Sequence, residues 1–305
     1  MTGSRKNADA FLFQVMLGLC VIWGFQQVAI KLAAADVAPV LQATLRSGIA
    51  AFLVALLMLW RGGWSAMGRD NLGAGLLAGV LFALEFLFIA LGLRYTSASH
   101  MAVFLYTAPI FSALALHLLL PSERLLPLQW LGIGVCFIGI CLAFGGSVLS
   151  TTLDRHMLLG DGLGLLAGLS WGLTTVVVRS SRLSEAPPAL TLFYQLAVAA
   201  VLLAGIAFAL NEITLTRITP VAVASVLFQG VVVSFFSYFA WFWLMRRYLA
   251  SNLAVFSFMT PLFGVGFGVL VLDEPLSISF LGGAVLVLLG ISLVSSGAWL
   301  RKRFA

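Results

Sequence analysis

The chain has 305 residues, 62% of them hydrophobic and only 9% charged, with a mean hydropathy of +1.10 and a net charge of +6. Soluble domains carry about 25% charged residues, so this composition excludes an ordinary soluble fold. At roughly 20 apolar residues per crossing it leaves room for about ten membrane helices and no separate soluble domain.

Apolar runs between polar or proline-containing breaks predict spans at 11–33, 39–60, 71–94, 97–120, 127–146, 158–180, 187–210, 218–246, 251–272 and 277–299. The breaks are short and carry turn residues, such as Arg61-Gly-Gly, Glu185-Ala-Pro-Pro and Asp273-Glu-Pro. The first run is too long for the core of a cleaved signal peptide and is expected to remain as the first helix. Ten spans put both termini on one side. Of the Lys and Arg residues, twelve fall on that side and four (Lys31, Arg94, Arg155, Arg217) on the other, with Arg46 inside a span. That bias predicts cytoplasmic termini in a bacterial inner membrane, and it explains the positive charge without a nucleic-acid partner. Cys20, Cys136 and Cys141 lie in apolar runs and are read as small buried hydrophobes.

The chain is one unit written twice. Trp23-Gly-Phe-Gln-Gln-Val-Ala-Ile-Lys31 returns as Trp171-Gly-Leu-Thr-Thr-Val-Val-Val-Arg179. The stretch from His100 to Pro109 matches that from Asn252 to Pro261, and Glu123, Gly132 and Gly139 match Glu274, Gly283 and Gly290 at the same internal spacing. The halves divide at 1–150 and 151–305. Each holds five spans, an odd number, so the second enters the membrane from the opposite face: an inverted repeat, the architecture of many secondary transporters. The predicted fold is an all-α integral membrane protein of ten transmembrane helices.

These motifs together resemble the EamA-type exporters of the drug/metabolite transporter superfamily, among them its aromatic amino acid exporters. The resemblance implies that helices one, three and four with six, eight and nine surround a cavity while five and ten lie outside. It also implies export of amino acids, related metabolites or drugs.

Glu85 is the most informative single residue, because a carboxyl inside an apolar span normally faces a cavity or a partner. It lies roughly 14 Å from the outer end of its span and Arg46 roughly 10 Å from the outer end of its own, at about 1.5 Å per residue. Glu85 therefore either binds a substrate amine or carries a proton, or it is structural, as an ion pair with Arg46 or as a neutral buried acid. The repeat sets Glu85 opposite Tyr238. Ser234, Ser237, Tyr238 and Trp241 share one helical face, which either lines a wet cavity or bonds to neighbouring helices. The opening motifs contribute Trp23, Gln26 and Gln27 from one half and Trp171, Thr174 and Thr175 from the other; the tryptophans either pack on the symmetry axis or stack on flat substrates. Tyr106 sits mid-helix just before Pro109, and Pro109 with Pro261 are candidate gating bends. Gly160, Gly164, Gly168 and Gly172 form a ladder for close helix approach. His100 and His117, roughly 25 Å apart on one helix, cannot share a metal and are read as lone polar residues near helix ends.

No phosphate loop, metal-ligand motif or nucleophile with its base occurs, so neither enzyme activity nor a cofactor is expected. The expected partners are a small-molecule substrate and the bilayer, with monomer and homodimer both open. The leading substrate class is aromatic or bulky apolar amino acids. Rivals are cationic drugs neutralised by Glu85, an intramembrane enzyme and a lipid scramblase. Proton coupling and facilitated passage remain equal alternatives.

Overall fold

The computed structural model describes residues 9–61, 69–119, 125–149, 155–248, 256–257 and 259–304. Glu123, Arg124, Asn252 and Val255, which carry part of the sequence repeat, lie outside the described residues. Among the described residues the chain is almost entirely helical: α1 (Ala10–Ala33), α2 (Pro39–Arg61), α3 (Arg69–Gly92), α4 (Ala98–Leu105), α5 (Ala108–Leu119), α6 (Pro127–Leu149), α7 (Arg155–Ser180), α8 (Pro188–Ala209), α9 (Pro220–Leu227), a π-helical segment (Phe228–Ser237), α10 (Tyr238–Arg247), α11 (Met259–Leu272) and α12 (Ile278–Phe304). Among the described residues seven stretches are long and apolar enough to cross a membrane, α4 with α5 counting as one, as does α9 with the π-helical segment and the first residues of α10. Three shorter apolar helices (Pro127–Leu142, Met259–Leu272, Ile278–Leu293) complete the pattern expected from the sequence. Large apolar side chains such as Leu118 (83% exposed) and Ile278 (89%) cover the outside, a surface stable only against lipid.

The helices pair across the halves. The first packs on the ninth (α1 on α11) and the fourth on the sixth (α5 on α7); the second packs on the seventh (α2 on α8) and the fifth on the tenth (α6 on α12). The last pair shows the inversion directly. A methyl group on Gly139 would lie 2.7 Å from Gly283 O, and one on Gly290 would lie 2.5 Å from Gly132 O. The two contacts exchange under the repeat and run in opposite directions, as an antiparallel two-fold pair must. The Gly-rich fifth and tenth helices thus pack on each other.

The connections after spans one, three, seven and nine gather on the face opposite the termini. There Ala38 N–H donates to Thr214 O (3.2 Å), Thr216 N–H to Asp36 O (2.8 Å), and Arg94 pairs with Glu212. Two of these turns use left-handed residues, Asn211 (φ 54°) and Asp273 (φ 53°), which end α8 and α11.

Pro109 leaves its mark. Without an N–H it cannot bond to Leu105 O, and the helix breaks at Tyr106 and Thr107. Thr107 Oγ1 donates back to Phe104 O (2.6 Å). The Gly ladder of α7 lies along this break: methyl groups on Gly168 and Gly172 would sit 3.0 Å from Leu105 O and 2.8 Å from Ala108 O. Its role is close approach to a backbone that could tolerate nothing larger. Pro261 falls in the first turn of α11 and is buried.

Candidate functional site

Arg46 is the centre of the polar interior. It is fully buried on α2, donating from Nε (2.9 Å) and Nη2 (2.5 Å) to Ser234 Oγ and from Nη2 to Tyr238 OH (3.3 Å). Its guanidinium lies 3.9 Å from the centre of the Phe86 ring, a desolvated cation–π contact. These hydrogen bonds join α2 of the first half to the second, at Ser234 of the π-helical segment and at Tyr238, the first residue of α10. Glu85, the neighbour of Phe86, is buried, but among the described residues it is not paired with Arg46 within 4.0 Å. The ion pair considered from depth alone is therefore not formed: hydroxyls of Ser234 and Tyr238 hold the guanidinium instead. Arg46 Nη1 and Glu85 Oε2 each remain buried without a hydrogen-bond partner.

Aromatic rings surround Arg46 and Glu85. Phe82 meets Phe86 (4.8 Å between centroids) and the edge of Tyr238 (6.4 Å), while Tyr106 and Trp171 meet edge to face at 5.2 Å. Tyr106 is buried and close enough to interact electrostatically with Glu85 and Tyr238. Trp23 donates its indole N–H to Ser237 Oγ (2.8 Å) and meets Trp241 at 5.5 Å. The stripe Ser234, Ser237, Tyr238 and Trp241 thus bonds to neighbouring helices from both sides.

Other candidates stand apart. Gln26 and Gln27 are buried, with Gln27 Oε1 unpaired. Thr174 and Thr175 donate to Ser170 O (2.9 Å) and Trp171 O (3.2 Å) of their own helix, and Thr175 is exposed, so this pair does not join the Arg46 cluster. Cys20 and Cys136 are buried as expected, whereas Cys141 is exposed on the apolar exterior.

Three features escaped the sequence reading. The first is the π-helical segment, a geometry enriched at functional sites, which carries Ser234 and Ser237. The second is a buried amide network: Gln229 Nε2 donates to Gln42 Oε1 (2.8 Å) and Ser225 Oγ (3.0 Å), and Gln42 Nε2 donates to Ile30 O (3.1 Å) and Val37 O (2.9 Å). The third corrects the reading of His100 as a lone polar residue: its Nδ1 lies 2.9 Å from Asp161 Oδ2, and its ring stacks on Phe280 at 3.9 Å. His117 is not alone either; its Nδ1 accepts from Leu125 N–H (2.9 Å).

Glu274, in the turn after α11, caps α4. It accepts from Ala98 N–H (2.6 Å), Ser99 N–H (2.9 Å) and Ser99 Oγ (2.7 Å), with Lys31 Nζ at 3.5 Å. Burial pushes its carboxyl up, but the hydrogen bonds from Ser99 and Ala98 and the charge of Lys31 outweigh it and hold the group below the usual carboxylate range. A lowered folded-state value means that the cap stabilises above the unfolded value of about 4.3 and is lost as pH falls through the lower folded one. Glu274→Ala leaves two helix N–H groups unpaired and is expected to cost about 1–3 kcal/mol. Thermal unfolding at neutral pH measures that loss, and the difference from wild type should shrink in strong acid.

Comparison with known proteins decides the family. The model of the EamA-like transporter family matches this chain twice, over residues 12–145 and 158–296. The chain belongs to that family. Within it, the chain is 27% identical over 284 residues to an uncharacterized transporter, YoaV, of Bacillus subtilis, covering 92% of this chain and 96% of that protein. It is 25% identical over 313 residues to a probable amino-acid metabolite efflux pump of Salmonella typhimurium, covering 98% of each. A solved crystal structure shares the fold with a TM-score of 0.65 at 19% identity, covering 97% of this chain and 99% of that one. This EamA-like transporter is a multi-pass membrane protein.

Proposed function

We propose that this EamA-like transporter exports amino acids, with aromatic or bulky apolar side chains as the leading class, by alternating access between its two inverted halves. The observation that carries the reading is that Arg46 Nη1 and Glu85 Oε2, buried on adjacent helices and among aromatic rings, each lack a hydrogen-bond partner. A zwitterion brings a carboxylate to the guanidinium and an ammonium to the carboxylate, and Phe82, Tyr106, Trp171 and Tyr238 supply apolar area for its side chain. The Salmonella relative, named a probable amino-acid metabolite efflux pump, supports amino acids and their metabolites as the broader class. Arg46 also weighs against cationic drugs, because it offsets the charge of Glu85 that would attract them. The bias of basic residues supports an inner-membrane location with cytoplasmic termini.

Counterflow in proteoliposomes tests the substrate class. Labelled Phe, Trp, Tyr and Leu are expected to exchange faster than Ser or Gln, and preference for small polar amino acids rejects the reading. Glu85→Gln should slow exchange about tenfold or more, since removing a charged partner from a bound ammonium costs about 1.5–3 kcal/mol. Wild-type exchange by that variant would leave Glu85 a structural role only. Faster passage of quaternary ammonium compounds than of any amino acid would favour the drug-export alternative.

A further inference from the structure

A hydroxyl with no other hydrogen-bonding group to meet can be satisfied inside its own helix, by donating to the carbonyl four residues back. Thr44, Ser47, Ser170, Thr174, Ser180 and Ser292 are satisfied in this way. Thr260 is not. It lies in the first turn of α11 and is 1% exposed, and its Oγ1 has no hydrogen-bond partner. The carbonyl four residues back, Phe256 O, accepts instead from Cys20 Sγ of α1 (3.3 Å). The polar neighbours of Thr260 are that thiol and the hydroxyl of Tyr106, and neither completes a hydrogen bond with it. The common plan of the halves does not call for a hydroxyl here, because Thr260 precedes Pro261 as Ala108 precedes Pro109. Its position is what sets it apart. Tyr106 is within electrostatic reach of Glu85 and Tyr238 as well as beside Thr260, so its ring links the charged groups on α2 and α3 to the free hydroxyl on α11.

We propose that Thr260 is a specificity-determining residue whose hydroxyl binds the polar atom on the ring of an aromatic amino acid, the phenol oxygen of tyrosine or the indole N–H of tryptophan. The proposal rests on the reading of Arg46 and Glu85 as the groups that take the carboxylate and the ammonium. With the zwitterion held by those two side chains, the substrate ring packs along Tyr106 and Trp171, which meet edge to face, and its far edge comes to α11. A hydroxyl both donates and accepts, so Thr260 serves a phenol oxygen and an indole N–H equally well. Phenylalanine and leucine fill the same apolar space but offer the hydroxyl no partner. A site that must bury a hydroxyl unpaired holds such an analogue less tightly than the substrate that satisfies it. The preference for tyrosine and tryptophan over phenylalanine then comes from one side chain, while the preference for aromatic over small polar amino acids comes from the rings around it.

Counterflow of labelled tyrosine, tryptophan, phenylalanine and leucine by the full chain in proteoliposomes, read as ratios at subsaturating concentration, tests the assignment. Wild type is expected to exchange tyrosine and tryptophan about tenfold faster than phenylalanine, the size of effect that one satisfied buried hydroxyl gives. Thr260→Val keeps the shape and removes the hydroxyl. It should bring tyrosine and tryptophan down to the rate of phenylalanine while phenylalanine and leucine stay close to their wild-type rates. Thr260→Ser restores the hydroxyl and should keep the wild-type ratio, and Thr260→Ala gives the same test as the valine if that variant does not fold. Equal slowing of all four solutes by Thr260→Val would make the hydroxyl a structural bridge to Tyr106 and overturn the proposal. An unchanged ratio in Thr260→Val, or a wild-type chain that treats tyrosine and phenylalanine alike, overturns it as well. Each of these results leaves the aromatic class standing. Faster exchange of serine or glutamine than of all four solutes rejects that class instead, and the role of Thr260 falls with it.

Discussion

Arg46→Met is expected to reduce transport by about thirtyfold or more while the chain remains folded. The methionine fills the volume of the buried stem, so packing against Phe86 is largely kept, whereas the guanidinium that bridges α2 to Ser234 and Tyr238 is removed. Loss of one partner from a buried charged contact costs about 2–5 kcal/mol, and about 1.4 kcal/mol is a tenfold change, so the expected loss spans roughly one and a half to three and a half powers of ten. Arg46→Lys restores charge but not the planar fork that places Nε and Nη2 on the same hydroxyl, and should recover only part of the rate. Counterflow rates for both variants, read beside their thermal unfolding, separate lost binding from lost fold. A double-mutant cycle with Glu85→Gln then asks whether the two charges act on one substrate: strong non-additivity supports a shared zwitterion, and simple additivity assigns them to separate tasks. Wild-type exchange by Arg46→Met would remove Arg46 from the site.

The sequence carried the membrane plan because that plan is written in local composition. Apolar runs and their breaks located the spans, and Pro109 marked the helix break at Tyr106 and Thr107 because a missing N–H acts on its own turn. The repeat revealed the inversion because an odd number of spans per half admits no other threading. Contacts between distant residues were less readable. Arg46 and Ser234 are 188 positions apart, and depth alone offered Glu85 as one candidate partner; which polar group reaches the guanidinium depends on the rotation of α2 and of the π-helical segment, and neither follows from periodicity. His100 looked alone for the same reason, since Asp161 sits 61 residues away near the start of another helix. Thr174 and Thr175 matched Gln26 and Gln27 in register, yet their short hydroxyls bond to the preceding turn of their own helix, which a glutamine amide is too long to favour.

The Trp-Gly motif that reveals the duplication also leads to the second large expected effect. A methyl group on Gly24 would lie 2.7 Å from Phe263 Cβ and 2.9 Å from Gly264 N, and one on Gly172 would lie 2.9 Å from Phe111 Cβ and 3.1 Å from Ser112 N. Phe263 and Gly264 stand two and three residues after Pro261, as Phe111 and Ser112 stand after Pro109. Each glycine therefore seats the first helix of its half on the turn after the proline in the fourth helix of the other half. The two seats are related by the repeat. Because the opposing atoms include backbone, the neighbour cannot move aside without shifting a helix, and overpacking of this kind costs about 1–3 kcal/mol per site. Gly24→Val and Gly172→Val are each expected to lower the unfolding temperature, and the double variant to lower it by nearly the sum, since the seats share no partner residue. If the prolines act as gating bends, the same variants should also slow counterflow more than the equally overpacking Gly139→Val, which wedges α6 from α12 away from Tyr106 and Trp171. Equal slowing by all three variants would leave the Trp-Gly seats a purely structural role.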